Sequence, residues 1–200
     1  MEEKDQFAQE QSAEEPLVRY QMMAILMDET PIPEEEFASI LAQHREFIAS
    51  GGGGGHWETF VTSGGTETGI VLGVYVGQQN QEATGAQAQL SHKRLEGLDL
   101  RGVELSCADL CGVSCRAQDL SGANLAGSLV TDSDFAGSSL RGANLAGADF
   151  SRANLRGCDL RKANLTRTDL ENADLTGADL RGAKLKKTRL HGVLMPGVLQ

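Results

Sequence analysis

The side chains able to do chemistry are few, and their spacing does not assemble them. Four histidines, His44, His56, His92 and His191, are scattered along the chain. None has a serine, cysteine or carboxylate at a spacing that would pair a nucleophile with its base. Cys107, Cys111 and Cys115 lie four residues apart and are the densest set of soft metal ligands. A glycine run, residues 51–55, matches a phosphate-cradling loop in composition alone. It lacks the Lys-Ser/Thr ending and follows a helical pattern rather than a strand, so a helix stop and flexible connector accounts for it. No cofactor, no metal and no catalytic residue is expected, and the chain reads as a non-enzyme.

The elements that would position these groups come from one pattern. From Leu90 to Leu190 an apolar residue fills every fifth position, including Leu110, Leu125, Leu145, Phe150, Leu155, Leu165, Leu175 and Leu180. Five residues advance an α-helix by about 500°, so such a series would spiral around it. On a straight strand an odd period throws alternate residues to opposite faces. The chain must therefore turn once per repeat. Two positions before each large residue stands a small one, as at Ala123, Ala143, Ala153 and Ala173. Residues two apart on an extended segment share a side, so both point inward and the polar residue between them points out. Glycines such as Gly122, Gly142 and Gly182 mark the corners. On this register Cys115 points inward, while Cys107 and Cys111 point outward near corners. That split does not gather three ligands around a tetrahedral metal, and the cysteines read as structural.

Segments such as Ala143-Asn144-Leu145, Ala148-Asp149-Phe150, Ala153-Asn154-Leu155 and Ala178-Asp179-Leu180 carry a family resemblance. The chain resembles the pentapeptide-repeat proteins, whose repeat is A(D/N)LXX, over about half its length. The resemblance implies a mainly β fold: a right-handed quadrilateral β-helix with four repeats per coil. The uniform columns Asn124, Asn144, Asn164 and Arg101, Arg141, Arg161, Arg181 agree with a twenty-residue coil, although Ser121 interrupts the second. About five coils follow. In quinolone-resistance members the C-terminal end dimerises, which implies a homodimer; the tail here is shorter.

Residues 1–15 are acidic and read as a disordered tail. Residues 16–87 read as an N-terminal α+β cap: a helix over about 16–27, a second over about 33–49, the glycine run, and strands at 56–61 and 69–76. An open first coil would expose unpaired backbone groups and leucines, so this region should cover that mouth. Residues 88–195 are the repeat domain and 196–200 a C-terminal tail. The apolar stretch 191–199 either closes the last coil or forms a contact between subunits.

The formal net charge is -10. Residues 91–190 hold 13 acidic and 15 basic side chains, so the acidity lies in the N-terminal part. No apolar run approaches the roughly 20 residues needed to span a membrane, and no basic region leads into an apolar core as in a signal peptide. Four cysteines without framework spacing fit a reducing compartment, the cytoplasm; with the family resemblance, that implies a bacterial protein.

Four outward faces result. The first interleaves Asp99, Asp119, Asp159 and Asp179 with the arginine column and is self-neutralising. The second carries the asparagines, hydrogen-bonded along the stack, and ends in Lys184, Lys186 and Lys187. The third gathers Asp109, Asp132, Asp149, Asp169 and Glu171, opposed mainly by Arg152, and is the candidate partner face. The fourth mixes Asp134 and Asp174 with Arg116 and Arg156. The function expected is a non-catalytic protein-interaction scaffold. The alternative implied by the resemblance is a DNA mimic that protects a type II topoisomerase, DNA gyrase. Direct nucleic-acid binding through the C-terminal lysines is disfavoured, because no aromatics interleave with them and the protein is acidic.

Overall fold

The computed structural model describes residues 31–52, 56–61, 71–76 and 87–200. Its organising feature is a backbone ladder with a twenty-residue period. Asn124 bridges Asn144, and Asn144 bridges Asn164, always in parallel; the same holds on the other three sides. Each coil therefore has four sides of five residues. The bonds alternate in direction: Leu125 N–H donates to the Asn144 carbonyl at 2.8 Å, while Asn144 N–H donates back to the Ala123 carbonyl at 2.9 Å. With coils about 4.8 Å apart, the five and a half coils from 89 to 199 make a rod about 26 Å long.

The corner chemistry explains the period. Ala143 N–H donates to the Leu140 carbonyl at 3.0 Å, closing a β-turn whose third residue, Gly142, has φ +67°. Positive φ at that position alone defines a type II turn and favours glycine. The rule holds at every repeat from His92 to Gly197, and nine of these corners are not glycine: His92, Cys107, Ala117, Asp132, Arg152, Lys162, Arg167, Asn172 and Lys187.

The interior is one continuous cluster. Leu110, Leu125, Leu145, Phe150, Leu155, Leu165, Leu175 and Leu180 are all buried within it, together with the small residues Ala123, Ala143 and Ala173. Phe135 and Phe150 pack with ring centroids 5.7 Å apart. Each stands one coil above a smaller residue of its own column, Cys115 and Val130, so the column volume is conserved.

The two ends differ. Helix α1, Glu34–Ala49, begins after Pro33, which occupies the N-cap rather than the first turn expected for it. Three glutamates fill its first turn, where the partial positive charge of the helix end favours them. Pro31 bridges Arg94 on the first coil, and Ile32 N–H donates to the Arg94 carbonyl at 3.0 Å. Ile32, Phe37 and Leu41 join the core cluster beside Leu90 and Leu95, which are fully buried. At the other end Leu185, Leu190 and Met195 hold inward positions yet remain 37%, 39% and 38% exposed. The stretch 191–199 closes the last coil: Leu199 pairs with Asp179. The ladder thus runs past the boundary at 195, because the outward Leu199 position needs only its backbone to pair.

Strands β1 (His56–Val61) and β2 (Val71–Val76) form an antiparallel pair with His56 opposite Val76. The helix expected over 16–27 and the acidic tail lie outside the described residues.

Candidate interaction faces

The aspartate and asparagine of each repeat do a structural job first. Their side-chain oxygens accept the N–H two residues on, at the corner. Asp149 accepts from Ser151 at 2.9 Å, Asp169 from Glu171 at 3.0 Å and Asp174 from Thr176 at 2.9 Å. An Asx oxygen in this place mimics a turn carbonyl and satisfies a donor that the ladder leaves open. The polar residue was legible in the sequence as outward; its commitment to the corner was not.

On the second face, Asn144 donates to the Asn124 oxygen and Asn164 to the Asn144 oxygen, both at 3.0 Å, so the expected side-chain ladder is present. Asn124 in turn donates to both oxygens of Glu104 at 2.9 Å.

The first face interleaves charge. Arg101, Arg161 and Arg181 each clamp the aspartate two residues earlier, with Nε–Oδ1 distances of 2.9, 2.7 and 2.9 Å. The Arg181 hydrogen bonds hold the Asp179 carboxyl down to about 2.

The third face is less acidic than its sequence suggests. Asp132 is buried at a corner with φ +58°, and Arg152, one coil on, grips it with two bonds of 2.8 and 2.5 Å. Arg189 binds Asp169 at 2.6 Å and Glu171 at 3.0 Å. Burial pushes the Asp109 carboxyl upward, outweighing the Cys111 N–H that it accepts. Leu129 stands between Asp109 and Asp149 in the same column and is fully buried despite its outward position. The five residues share one side of the rod, but Asp132 is buried, Asp109 is half-buried, and Asp132, Asp169 and Glu171 are ion-paired.

Cys107 and Cys111 stand at corners outside the core cluster, as expected, but are not open to solvent. Both are buried, as are Cys115 and Cys158, and all four are free thiols. The residues one coil on cover them: Thr131 donates to the Cys111 sulfur at 3.2 Å, and Gly127 sits over Cys107. Burial pushes the Cys111 thiol up to about 11 and the Cys158 thiol up to about 12, so neither is a nucleophile near neutral pH.

His44 was one of four scattered histidines in the sequence, with no role assigned to it. It is fully buried on α1, and its Nδ1 accepts the Ala88 N–H at 3.1 Å. That bond assigns the proton to Nε2, which has no hydrogen-bond partner among the described residues. Burial lowers its pKa, against the opposing pull of Glu104 and the Ser106 backbone.

Twenty-residue coils, type II corners and a leucine-filled interior define a four-sided β-solenoid. The pentapeptide repeats model matches residues 119–157 and 153–192, in 8 copies. This stretch is therefore a pentapeptide-repeat domain. No curated protein matches the sequence. Among solved structures, the chain is similar to HetL, a pentapeptide repeat protein involved in heterocyst differentiation regulation in Nostoc sp. strain PCC 7120. The identity is 34% over 56% of this chain and 56% of that one, with a TM-score of 0.43. A pentapeptide repeat protein of the Arabidopsis thaliana thylakoid lumen is 34% identical over 48% of this chain and 63% of its own, TM-score 0.39. Trypsin-treated QnrB1, a plasmid-mediated fluoroquinolone resistance protein, is 18% identical over 60% and 66%, TM-score 0.45. The chain thus spans between about half and two thirds of the length of these proteins.

Proposed function

We propose that the protein is a non-catalytic interaction scaffold, a right-handed quadrilateral β-helix capped by residues 16–87 and presenting fixed faces to a protein partner. The carrying observation is the unbroken backbone ladder from Gln89 to Leu199, which makes the rod a rigid template. Its polar side chains are spent on corners and on each other, and its thiols are buried. The reading places the protein in the cytoplasm, where thiols stay reduced. It takes the half-buried Asp149, Asp169 and Glu171 as the solvent-reaching part of the acidic partner face, with Asp109 and Asp132 as its structural border. The apolar C-terminal end is the place for a homodimer contact.

The test uses the full chain as bait, against a bait carrying Asp149→Asn and Glu171→Gln. A partner recovered by the first and lost by the second supports the reading. A turnover activity of the pure protein that a single substitution abolishes would refute it. The DNA-mimic alternative requires a run of unpaired negative charge, whereas Arg152 and Arg189 neutralise much of this face. Added to a gyrase supercoiling assay, the protein is expected to leave both the activity and its quinolone sensitivity unchanged.

A further inference from the structure

Two neighbouring coils leave positive charge unspent on the second face. Lys162, Arg167, Lys184, Lys186 and Lys187 stand on its column and its two corners. All five are exposed, and none makes an ion pair among the described residues. The first face is built the other way: Asp159 and Asp179 hold Arg161 and Arg181. The acidic residue of the second-face column, Glu104, stands three coils from Asn164, about 14 Å along the axis, and is engaged by Asn124. Packing gathers the cations. Gly182 presents no side chain, and a Cβ there would lie 3.6 Å from Lys162 Cγ. The Lys162 stem thus rises over the next coil, toward the level of Lys184. Arg167 and Lys187 share a corner column one coil apart, about 4.8 Å. Like charges this close repel, and no carboxylate of these two coils lies on the same face to offset them. Asn164 adds a donor: one carboxamide N–H goes to Asn144, and the other has no acceptor among the described residues.

We propose that this strip is a second docking face, for an extended acidic segment of a partner protein. The strip is one coil side wide, and Asp159 and Asp179 flank it on the first face and Asp169 on the third. A ligand broader than one extended chain meets those carboxylates, so a nucleic-acid duplex fits poorly. No aromatic side chain points outward along the strip to stack an unpaired base. No large apolar side chain points outward there to enter a lipid surface. An extended peptide places alternate side chains on one side at about 6.6 Å. Long, flexible lysine stems reach carboxylates at that spacing from both coils at once. The proposal rests on the scaffold reading and adds to it. The rod carries an acidic face and a basic face that meet at the corner of Arg167 and Lys187, so it holds two partners of opposite charge side by side.

The probe is a labelled peptide of alternating glutamate and serine, and its binding to the full chain is read by fluorescence anisotropy. The expected result is binding that weakens about fivefold when salt rises from about 0.05 to about 0.5 M. Lys184→Gln, Lys186→Gln and Lys187→Asn together should weaken it about tenfold; asparagine is used at 187 because that corner has φ +61°. Arg45→Gln, Arg101→Gln and Arg116→Gln together remove the same charge from other exposed positions and should leave the affinity unchanged. Equal losses in the two variants, or no binding of the peptide, would overturn the proposal. So would tighter binding of a duplex oligonucleotide, or of phosphatidylserine vesicles, than of the peptide. The chain carrying Asp149→Asn and Glu171→Gln should bind the peptide at least as tightly as the unaltered chain, so failure of this face and failure of the acidic partner face are read separately.

Discussion

At the residue scale, the structure separates positions that look alike in the sequence. The corner residue of every repeat sits at positive φ, yet a Cβ added at Gly142 would meet nothing within 4 Å. Any penalty for alanine there is therefore backbone strain alone. Gly142→Ala is expected to destabilise by about 1–2 kcal/mol, and Gly142→Asn by less, because asparagine tolerates this region; denaturant unfolding of the two variants measures both. The cysteines give a second residue-scale prediction. With thiols at about 11 and about 12 for Cys111 and Cys158, less than about one part in a thousand is thiolate at pH 8. An aromatic disulfide reagent should label the native chain slowly and four thiols rapidly once it is unfolded. Fast native labelling of Cys107 or Cys111 would mean that they face solvent after all. The inward leucines were legible in the sequence because one period places them all. The burial of Cys107, Cys111 and Asp132 was not, because it depends on what stands twenty residues away: Gly127, Thr131 and Arg152.

At the element scale, the informative contact is between α1 and the first coil. The helix was legible because Phe37, Ile40, Leu41, His44, Phe47 and Ile48 fall on one helical face. The pairing of Pro31 with Arg94 was not, since nothing local to either residue specifies it. His44 ties this junction to pH. Its folded pKa lies below the unfolded value of about 6.5. Above that value both states are neutral and the histidine contributes no pH dependence. As pH falls below it, the unfolded state takes up the proton first, so stability declines until the folded pKa is passed. Protonation also removes the acceptor for the Ala88 N–H. Exchange of the Ala88 amide, corrected for the intrinsic pH effect, should accelerate as pH falls below about 6.5. In His44→Gln this pH dependence should vanish; an unchanged profile in that variant would assign the effect to another group.

At the scale of the whole molecule, the rod is asymmetric. One end is closed by Ile32, Phe37 and Leu41, and the other leaves Leu190, Met195 and Leu199 exposed. Charge is asymmetric along the sequence as well: most acidic side chains outside the coils precede residue 50, while the last two coils hold Lys162, Lys184, Lys186 and Lys187. These features rest on one geometric claim, that the chain rises by a single strand spacing for every twenty residues. Spin labels at the exposed corners Arg101, Arg141 and Arg181 test it most directly by dipolar spectroscopy. The stack predicts about 10 Å for 101–141 and about 19 Å for 101–181, doubling with the number of coils. Distances that fail to double, or a 101–181 separation beyond about 30 Å, would contradict the stack and every face defined on it.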